Sequence, residues 1–225
     1  MCGPRDSEWI SASPFSLMEV LVLEDDVNYE VVVTTLSMDG SPHAAAMGCR
    51  FLGQGSTIAL RPHLSSQTAQ NLLRWRSGVL NVTAPEYVVE AALDLGAVAM
   101  SFGVGEVVKA PVLREASAAI EFVVVEASEA DVWLDVRGRP VAFRYRLTPV
   151  RPFSRSASLL VEAAVRLSRV EPFLSMGRRD DALRLWSEAR SLLDDALRLS
   201  GGGDLRRLVE AVRGRLYSLE GLIPP

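Results

Sequence analysis

The hydrophobic pattern of residues 16–62 is that of short β-strands. Residues 28–36, NYEVVVTTL, are rich in β-branched side chains. An Asp-Gly turn in MDGS (38–41) separates them from PHAAAMGCRFL (42–52), so the two segments predict a hairpin. GQGS (53–56) turns the chain again into a third strand, TIALRP. Three antiparallel strands joined by short turns favour a meander, and hence a barrel or a sandwich.

The period changes at residues 65–75, SSQTAQNLLRW, where apolar residues recur at helical spacing. A further strand, VLNVT (79–83), follows this helix. Residues 85–96, PEYVVEAALDLG, are predicted as a second helix. They begin with a proline suited to the first helical position and end with a glycine.

Four more strands are predicted before residue 150, at 106–113, 118–128, 131–136 and 141–147. The last two alternate between apolar and polar residues on either side of RGRP, so we expect them to form a hairpin. About seven strands and two helices in this region indicate a closed or split barrel with helical decoration.

The remaining chain is helical, with apolar stripes at 156–170, 178–200 and 204–221. Short connections predict antiparallel neighbours and a three-helix bundle. The expected fold class is therefore α+β: an antiparallel split β-barrel in domain 1–150, then a helical bundle in domain 151–225. The charge distribution agrees, since the formal charge is −7 over residues 1–150 and +3 over residues 151–225.

Composition narrows the functional classes. The chain has 225 residues, of which 48% are hydrophobic, which is ample for a large core. A net charge of −4 argues against nucleic acid as a partner. No apolar run is long enough for a membrane span, and the N-terminus has no signal-peptide pattern. Cys2 and Cys49 show no metal-binding or disulfide pattern, so we expect a soluble, cytoplasmic protein that does not associate with membranes.

The segment RPHLSSQTAQNL, residues 61–72, is the first chemical candidate. Ser65 or Ser66 can cap the following helix, and capping alone explains a serine there. Capping does not explain Arg61, Thr68 and Asn71, whose donors could converge with unpaired backbone N–H groups on one anion. Helix capping and a phosphate site both remain open on the residues alone.

The second candidate is the run of small residues in the returning strand. Residues 44–48 let a flat ligand approach the backbone closely, with Thr34 and Thr35 ending the neighbouring strand. The ordinary alternative is a strand packed tightly against another element. Asn81 adds a polar group at the end of a third strand.

Other catalytic patterns are absent from the sequence. His43 and His63 are the only histidines, which excludes a histidine-rich metal site and argues against a histidine-based triad, so we expect no metal. The sequence contains no P-loop, GxSxG or HExxH motif.

Taken together, the segments YEVVVTT, DGSPHAAAMG, IALRPHLSSQTAQNL and GVLNVT resemble the FMN-binding split barrels related to flavin reductases. The chain is most similar to the largely archaeal domain-of-unknown-function 447 family, which carries a helical C-terminal extension. FSRSASLLVEAAVRLSR (153–169) is similar to the start of that extension. The resemblance covers residues 18 to 170.

The resemblance implies that FMN binds near the interface of a homodimer. The residues implied for the phosphate and ribityl chain are Arg61, Ser66, Gln67, Thr68 and Asn71. Those implied for the isoalloxazine side are Thr35, Ala46, Met47, Gly48, Asn81 and Val82. The chain has His43 and HAAAMG where the family often has N-x-A-P-M-G, so His43 is a further candidate whose role stays open.

The expected function is that of a flavin-dependent oxidoreductase with an unknown small-molecule donor and acceptor. The flavin would carry the electrons, and the protein would bind, orient and tune it. A non-catalytic FMN sensor or carrier remains open, as does a structural dimer, each with the helical domain as an interaction surface.

Overall fold

The computed structural model describes residues 8–147, 154–200, 203–220 and 222. The strands are β1 (Ile10–Ala12), β2 (Asn28–Leu36), β3 (Pro42–Leu52), β4 (Thr57–Leu60), β5 (Ser77–Val82), β6 (Phe102–Gly103), β7 (Val112–Leu113), β8 (Ala118–Ala130) and β9 (Trp133–Tyr145). The helices are α1 (Leu17–Val20), α2 (Gln67–Trp75), α3 (Pro85–Leu93), α4 (Arg155–Ser175), α5 (Arg179–Leu199) and α6 (Asp204–Glu220).

Six antiparallel strands close into a barrel in the order β9, β4, β3, β2, β5, β8, with β8 pairing back onto β9. β1 lies outside this ring and pairs with the C-terminal end of β9. The predicted hairpin of residues 28–36 and 42–52 is present with those bounds. The expected α+β fold, a barrel followed by three C-terminal helices, is confirmed.

β9 is one continuous strand, and the predicted hairpin around RGRP is wrong. β8 pairs with β9 from Ala118–Tyr145 to Ala130–Trp133, so the hairpin partner of β9 is β8. On its other edge, β9 pairs with β4 in its first half and with β1 at its end. Pro140, which cannot donate to a ladder, lies at a register shift opposite Phe122.

The predicted strand at 106–113 is also mostly wrong, since only its last two residues form β7. The amides of residues 106, 107 and 108 donate to the Glu121 carboxylate at 2.7, 2.8 and 2.9 Å. Backbone N–H groups that bond to a carboxylate cannot also pair with a neighbouring strand. The apolar side chains of this segment instead pack on the outer face of the barrel around Val79 and Ala119.

The barrel core consists of the inward side chains of its strands together with one face of α2. Val31 and Val33 of β2 contribute to it, as do Ala69 and Leu72 of α2. α2 therefore packs against the barrel interior with Ala69 and Leu72, whereas Leu73 and Trp75, which the helical period predicted to share its apolar side with Leu72, are exposed.

A second compact unit contains α4, α5 and α6 together with α3 and residues up to 99, while residues 8–84 and 100–147 belong to the first unit. Small residues such as Ala163, Ala189 and Ala196 lie in its apolar core and let the helices approach closely. In this unit the Glu90 carboxylate accepts the amides of residues 96, 97 and 98, which closes the turn after α3. The sequence of α3 lies within the stretch predicted as the barrel domain, yet it packs with the C-terminal helices.

Over the part of the chain that the structure describes, none of the helices combines the length and the apolar character that crossing a membrane requires.

The fully buried ring of Phe122 predicts a strict requirement for glycine at position 138. A Cβ added at Gly138 would lie 2.7 Å from Cδ2 of Phe122, and one at Gly78 would lie 2.8 Å from its Cζ. We expect Gly138→Ala to lower the free energy of unfolding by about 1–3 kcal/mol, because the ring has no space to move into. Chemical denaturation with an unchanged m-value would measure this.

The matched control is Gly103→Ala in β6, where the added Cβ would meet its nearest atom at an ordinary 3.7 Å. This variant should stay within about 0.5 kcal/mol of the parent protein. Equal stability losses in the two variants would show that the Phe122 contact is not the cause.

Candidate functional site

The N-terminus of α2 presents backbone donors at the surface of the barrel. Ser66 is the N-cap, and its hydroxyl accepts the amide of Ala69 at 3.2 Å. The amides of Gln67 and Thr68 take no hydrogen-bond partner among the described residues. Two open N–H groups at the positive end of a helix dipole favour an anion. Capping and anion binding are therefore compatible here, because the cap uses only one of the donors.

The side chains of Thr68 and Asn71 are fully buried. Asn71 Nδ2 donates to Thr35 Oγ1 at 2.9 Å, and Thr68 Oγ1 lies 3.1 Å from His43 Nε2. Gln67 Nε2 donates to Asn71 Oδ1 at 2.7 Å. These bonds form two groups, Gln67–Asn71–Thr35 and Thr68–His43, which together make up the polar network that joins α2 to the end of β2 and the start of β3. Buried polar groups that satisfy each other in this way hold the helix in one orientation on the barrel.

His43 is half-buried in this network, opposite Thr35 in the β2–β3 ladder. Burial lowers the pKa of His43 below its ordinary value, since the charged imidazolium is poorly solvated there. The neutral ring can both donate and accept a hydrogen bond. His43 therefore makes its polar contact with Thr68, inside the protein.

β3 has one open backbone edge beside this network. It pairs with β2 over its full length, but β4 pairs only with residues 49–52 of β3. Within the described chain, the second edge of residues 42–48 has no strand partner. Alternate residues of a strand direct their N–H and C=O groups to that edge. Small, half-buried side chains at positions 44–46 leave room for a flat molecule to reach these groups.

Strand alternation puts the ring-side candidates on both faces of the sheet. Met47 and Val82 pack against the barrel core on the inner face. Ala46 is paired with Val32, which is paired in turn with Asn81, and all three belong to the outer face. Gly48 lies on that outer face as well, because it is two residues from Ala46.

Asn81 is fully committed within the protein. Its Nδ2 donates to Val32 O and Thr34 Oγ1, both at 2.9 Å, and its Oδ1 accepts the amide of Leu113 at 2.9 Å. Thr34 also donates to the carbonyl of Pro111. These bonds fix the segment before β7 onto the outer face of the barrel, so the amide of Asn81 serves packing.

Arg61 lies apart from the network, directly after β4 and opposite the start of β9. Its Nε forms a 2.9 Å ion pair with Asp135 Oδ1, and its guanidinium carbon lies 5.9 Å from the centre of the Trp133 ring. Both partners of the ion pair are about half exposed, so the pair itself contributes little stability. The structure thus gives the most basic group of the predicted phosphate segment a carboxylate partner of its own.

The remaining candidates for covalent or metal chemistry are weak. Burial first, and the charge of Glu30 second, raise the pKa of the Cys49 thiol to about 12, so the reactive thiolate is scarcely formed. Across residues 8–147, 154–200, 203–220 and 222, no three His, Cys, Asp or Glu side chains form a possible metal site.

Sequence reasoning missed Asp135 and the open edge of β3. Asp135 is distant in sequence from Arg61 and carries no motif. The open edge is a property of strand pairing, and the only signal for it was the run of small residues in β3.

Comparison with known proteins gives one family and several related folds. The family model described as "Protein of unknown function (DUF447) N-terminal domain" matches residues 29–146. No curated protein matches the chain. An FMN-bound protein of Methanosarcina mazei, assigned to DUF447, has a similar crystal structure with a TM-score of 0.66. It is 21% identical, and the alignment covers 88% of this chain and 99% of that one.

Two further solved structures show weaker similarity. Flavoredoxin of Desulfovibrio vulgaris (Miyazaki F) has a TM-score of 0.47 at 17% identity, covering 58% of this chain and 78% of its own. A putative flavin reductase with a split barrel domain from Shewanella frigidimarina has a TM-score of 0.48 at 12% identity, covering 58% and 75%. The similarity to the Methanosarcina structure confirms the expected fold, an antiparallel barrel followed by C-terminal helices.

Proposed function

This chain belongs to the DUF447 N-terminal domain family, and on that premise we propose that it is a flavoprotein that binds FMN at the N-terminus of α2. The observation that carries the proposal is the pair of open amides at Gln67 and Thr68. A phosphate monoester is close to doubly charged at neutral pH, and helix N-terminal amides suit such a group. The FMN-bound family member from Methanosarcina has the same fold.

The residues present fit FMN better on the phosphate side than on the ring side. Ser66 and the two amides offer donors, and the exposed Gln67 leaves the helix end accessible. The open edge of β3 at 42–48 offers backbone groups for the polar rim of the isoalloxazine. Thr35, Thr68 and Asn71 hold α2 on the barrel, so we assign them to positioning the donors.

We further propose that the chain is a homodimer with FMN near the subunit interface. The donors of α2 and the edge of β3 lie on an open face, and a ring as large as isoalloxazine is usually covered on both sides in its site. A second copy of the barrel would supply that cover. The buried free thiol of Cys49 fits the reducing environment of a cytoplasmic protein.

We propose that the chemistry is a two-electron oxidation–reduction with a small-molecule donor. When bound, FMN supplies hydride and electron transfer, while the protein binds and orients it. His43 lies within hydrogen-bond distance of Thr68, and Asn81 bonds to Val32, Thr34 and Leu113, so neither of these two side chains is set apart as an acid or base for a substrate.

The first test removes one amide of α2 without changing the helix. Gln67→Pro deletes the N–H at the first helical position, where proline is tolerated, and the extended Ser66 (φ −73°, ψ 151°) accepts a following proline. We expect the Kd for FMN to rise about tenfold or more, as for a lost hydrogen bond to a charged group, with the Kd for riboflavin unchanged. Flavin fluorescence quenching measures both.

The matched control is Gln67→Ala, which keeps the amide but removes the side-chain bond to Asn71. Both variants lose that bond, so only their difference reports the amide. If Gln67→Pro weakens FMN and riboflavin equally, or no more than Gln67→Ala does, the phosphate lies elsewhere.

A second test asks whether Arg61 also serves the phosphate. Asp135→Asn removes the carboxylate that pairs with Arg61 and one negative charge from its surroundings. If the guanidinium then turns to the phosphate, FMN should bind several-fold more tightly at low salt, while riboflavin is unaffected. An unchanged FMN affinity in this variant would show that Arg61 does not serve the phosphate. The control is Asp131→Asn, which neutralises an exposed carboxylate in the β8–β9 turn.

A third test concerns catalysis. Under anaerobic conditions, NADH or NADPH should bleach the visible absorbance of the FMN-loaded protein faster than that of free FMN. A rate equal to that of free flavin with both donors would instead support a non-catalytic FMN carrier.

A further inference from the structure

A second candidate site lies on the outer side of the barrel. A cavity of about 430 Å³ is bounded by the end of β9 and by the β6–β7 pair. Arg144 in β9 and Arg146 directly after it line the cavity, while the alternate residues Phe143 and Tyr145 belong to the barrel core. Its volume falls within the usual range for small-molecule sites, about 300–1,000 Å³. No residue of α2 or β3 lines it, so it is distinct from the proposed FMN site.

Every charged side chain that lines the cavity is an arginine, at positions 114, 144 and 146. Among the residues that the structure describes, no carboxylate lines the cavity, although Glu106 and Glu121 pair with Arg144 from beside it. Glu121 accepts three backbone amides, as described above. Glu115 accepts the amide of Ser101 at 3.1 Å and its hydroxyl at 2.5 Å. The described lining of the cavity therefore contains three arginines and no acid.

Arg114 is held in place by its Nε, which donates to the carbonyl of Phe102 at 3.0 Å. Its guanidinium lies over Gly103, where an added Cβ would be 3.7 Å from the guanidinium carbon. Among the described residues, no carboxylate forms an ion pair with Arg114. The guanidinium of Arg114 is thus oriented, and its charge has no counter-ion among the residues that the structure describes.

Arg144 and Arg146 both contact the ring of Trp9. Their guanidinium carbons lie 5.2 and 4.2 Å from the centre of the indole ring. Arg144 is also ion-paired with Glu106 at 3.3 Å and more distantly with Glu121 at 3.5 Å. Burial and the charge of Arg144 lower the pKa of Arg146, while Glu115 opposes that shift. Two guanidinium groups that line the same cavity favour an anion within it.

The cavity also has an apolar part. Val104 and Val112 line it together with the ring of Trp9. A bare inorganic anion would leave this part unused, whereas an organic body attached to a charged group would cover it.

We infer that this cavity binds a small organic anion through a doubly charged oxyanion group held by Arg114, Arg144 and Arg146. A phosphate ester and a polycarboxylate share that chemistry, and arginine forks suit both. The site is independent of FMN binding, since it uses other residues on another face of the barrel.

The experiment is isothermal titration of the full chain, without added flavin and at low salt, with three separate probes: pyrophosphate, adenosine monophosphate and citrate. We expect saturable binding of at least one probe, weakened about tenfold or more by Arg114→Ala. Arg114 is exposed, so its removal leaves the core intact. The matched control is Arg139→Ala, an exposed arginine on the same barrel surface, which should leave the Kd within about twofold.

The probes also distinguish the source of the anion. Binding of pyrophosphate or adenosine monophosphate without citrate assigns a phosphate group, and binding of citrate alone assigns a polycarboxylate. Binding that Arg114→Ala leaves unchanged would place the anion elsewhere, including at α2, and would overturn the inference. Absence of heat at millimolar concentrations of all three probes would also overturn it.

A change in tryptophan fluorescence gives a second readout. The chain has four tryptophans, and only Trp9 lines the cavity. We expect the fluorescence change on anion binding to disappear in Trp9→Phe, while the titration heat persists. A full fluorescence change in Trp9→Phe would contradict the assignment.

Discussion

Hydrogen bonds between the backbones of neighbouring strands hold the barrel together. Its candidate functional groups lie where this backbone pairing stops. Six strands pair around the ring, and the ladder leaves one long gap beside residues 42–48 of β3. The N-terminus of α2 adds two amides, those of Gln67 and Thr68, that have no hydrogen-bond partner within the helix. Unpaired backbone groups are costly when buried and useful when a ligand can reach them. A flavin site at this place would complete the hydrogen bonding that the fold leaves open.

Buried carboxylates give the irregular segments their shape. Glu90 accepts the amides of residues 96–98, Glu115 engages Ser101, and Glu121 accepts the amides of residues 106–108. Each acid takes backbone donors that would otherwise need a strand or water. Between β5 and β8 the chain is therefore ordered by side-chain acceptors, which explains how a long connection can build one wall of a cavity.

Local signals predicted the elements that are determined locally. β2 and β3 have the bounds expected from β-branched runs around an Asp-Gly turn, and α2 follows its helical period. Glycine and proline usually interrupt strands, so the RGRP segment predicts a turn. In the structure the strand continues, because the Phe122 ring fills the space over Gly138 and a register shift accommodates Pro140. In the candidate site, the ion pair of Arg61 was equally unpredictable from local sequence, because only the β4–β9 ladder brings its partner Asp135 next to it.

Thr34 and Thr35 are neighbours in β2 that point to opposite faces of the sheet. One hydroxyl belongs to the network of Asn81 on the outside, and the other accepts from Asn71 on the inside. A slip of β2 by one residue in one direction would place Val33 opposite the Asn81 amide, and a slip in the other direction would place Leu36 opposite the Asn71 amide. The two polar contacts thus select a single alignment of this strand, because a misaligned folding intermediate loses one of them whichever way the strand slips.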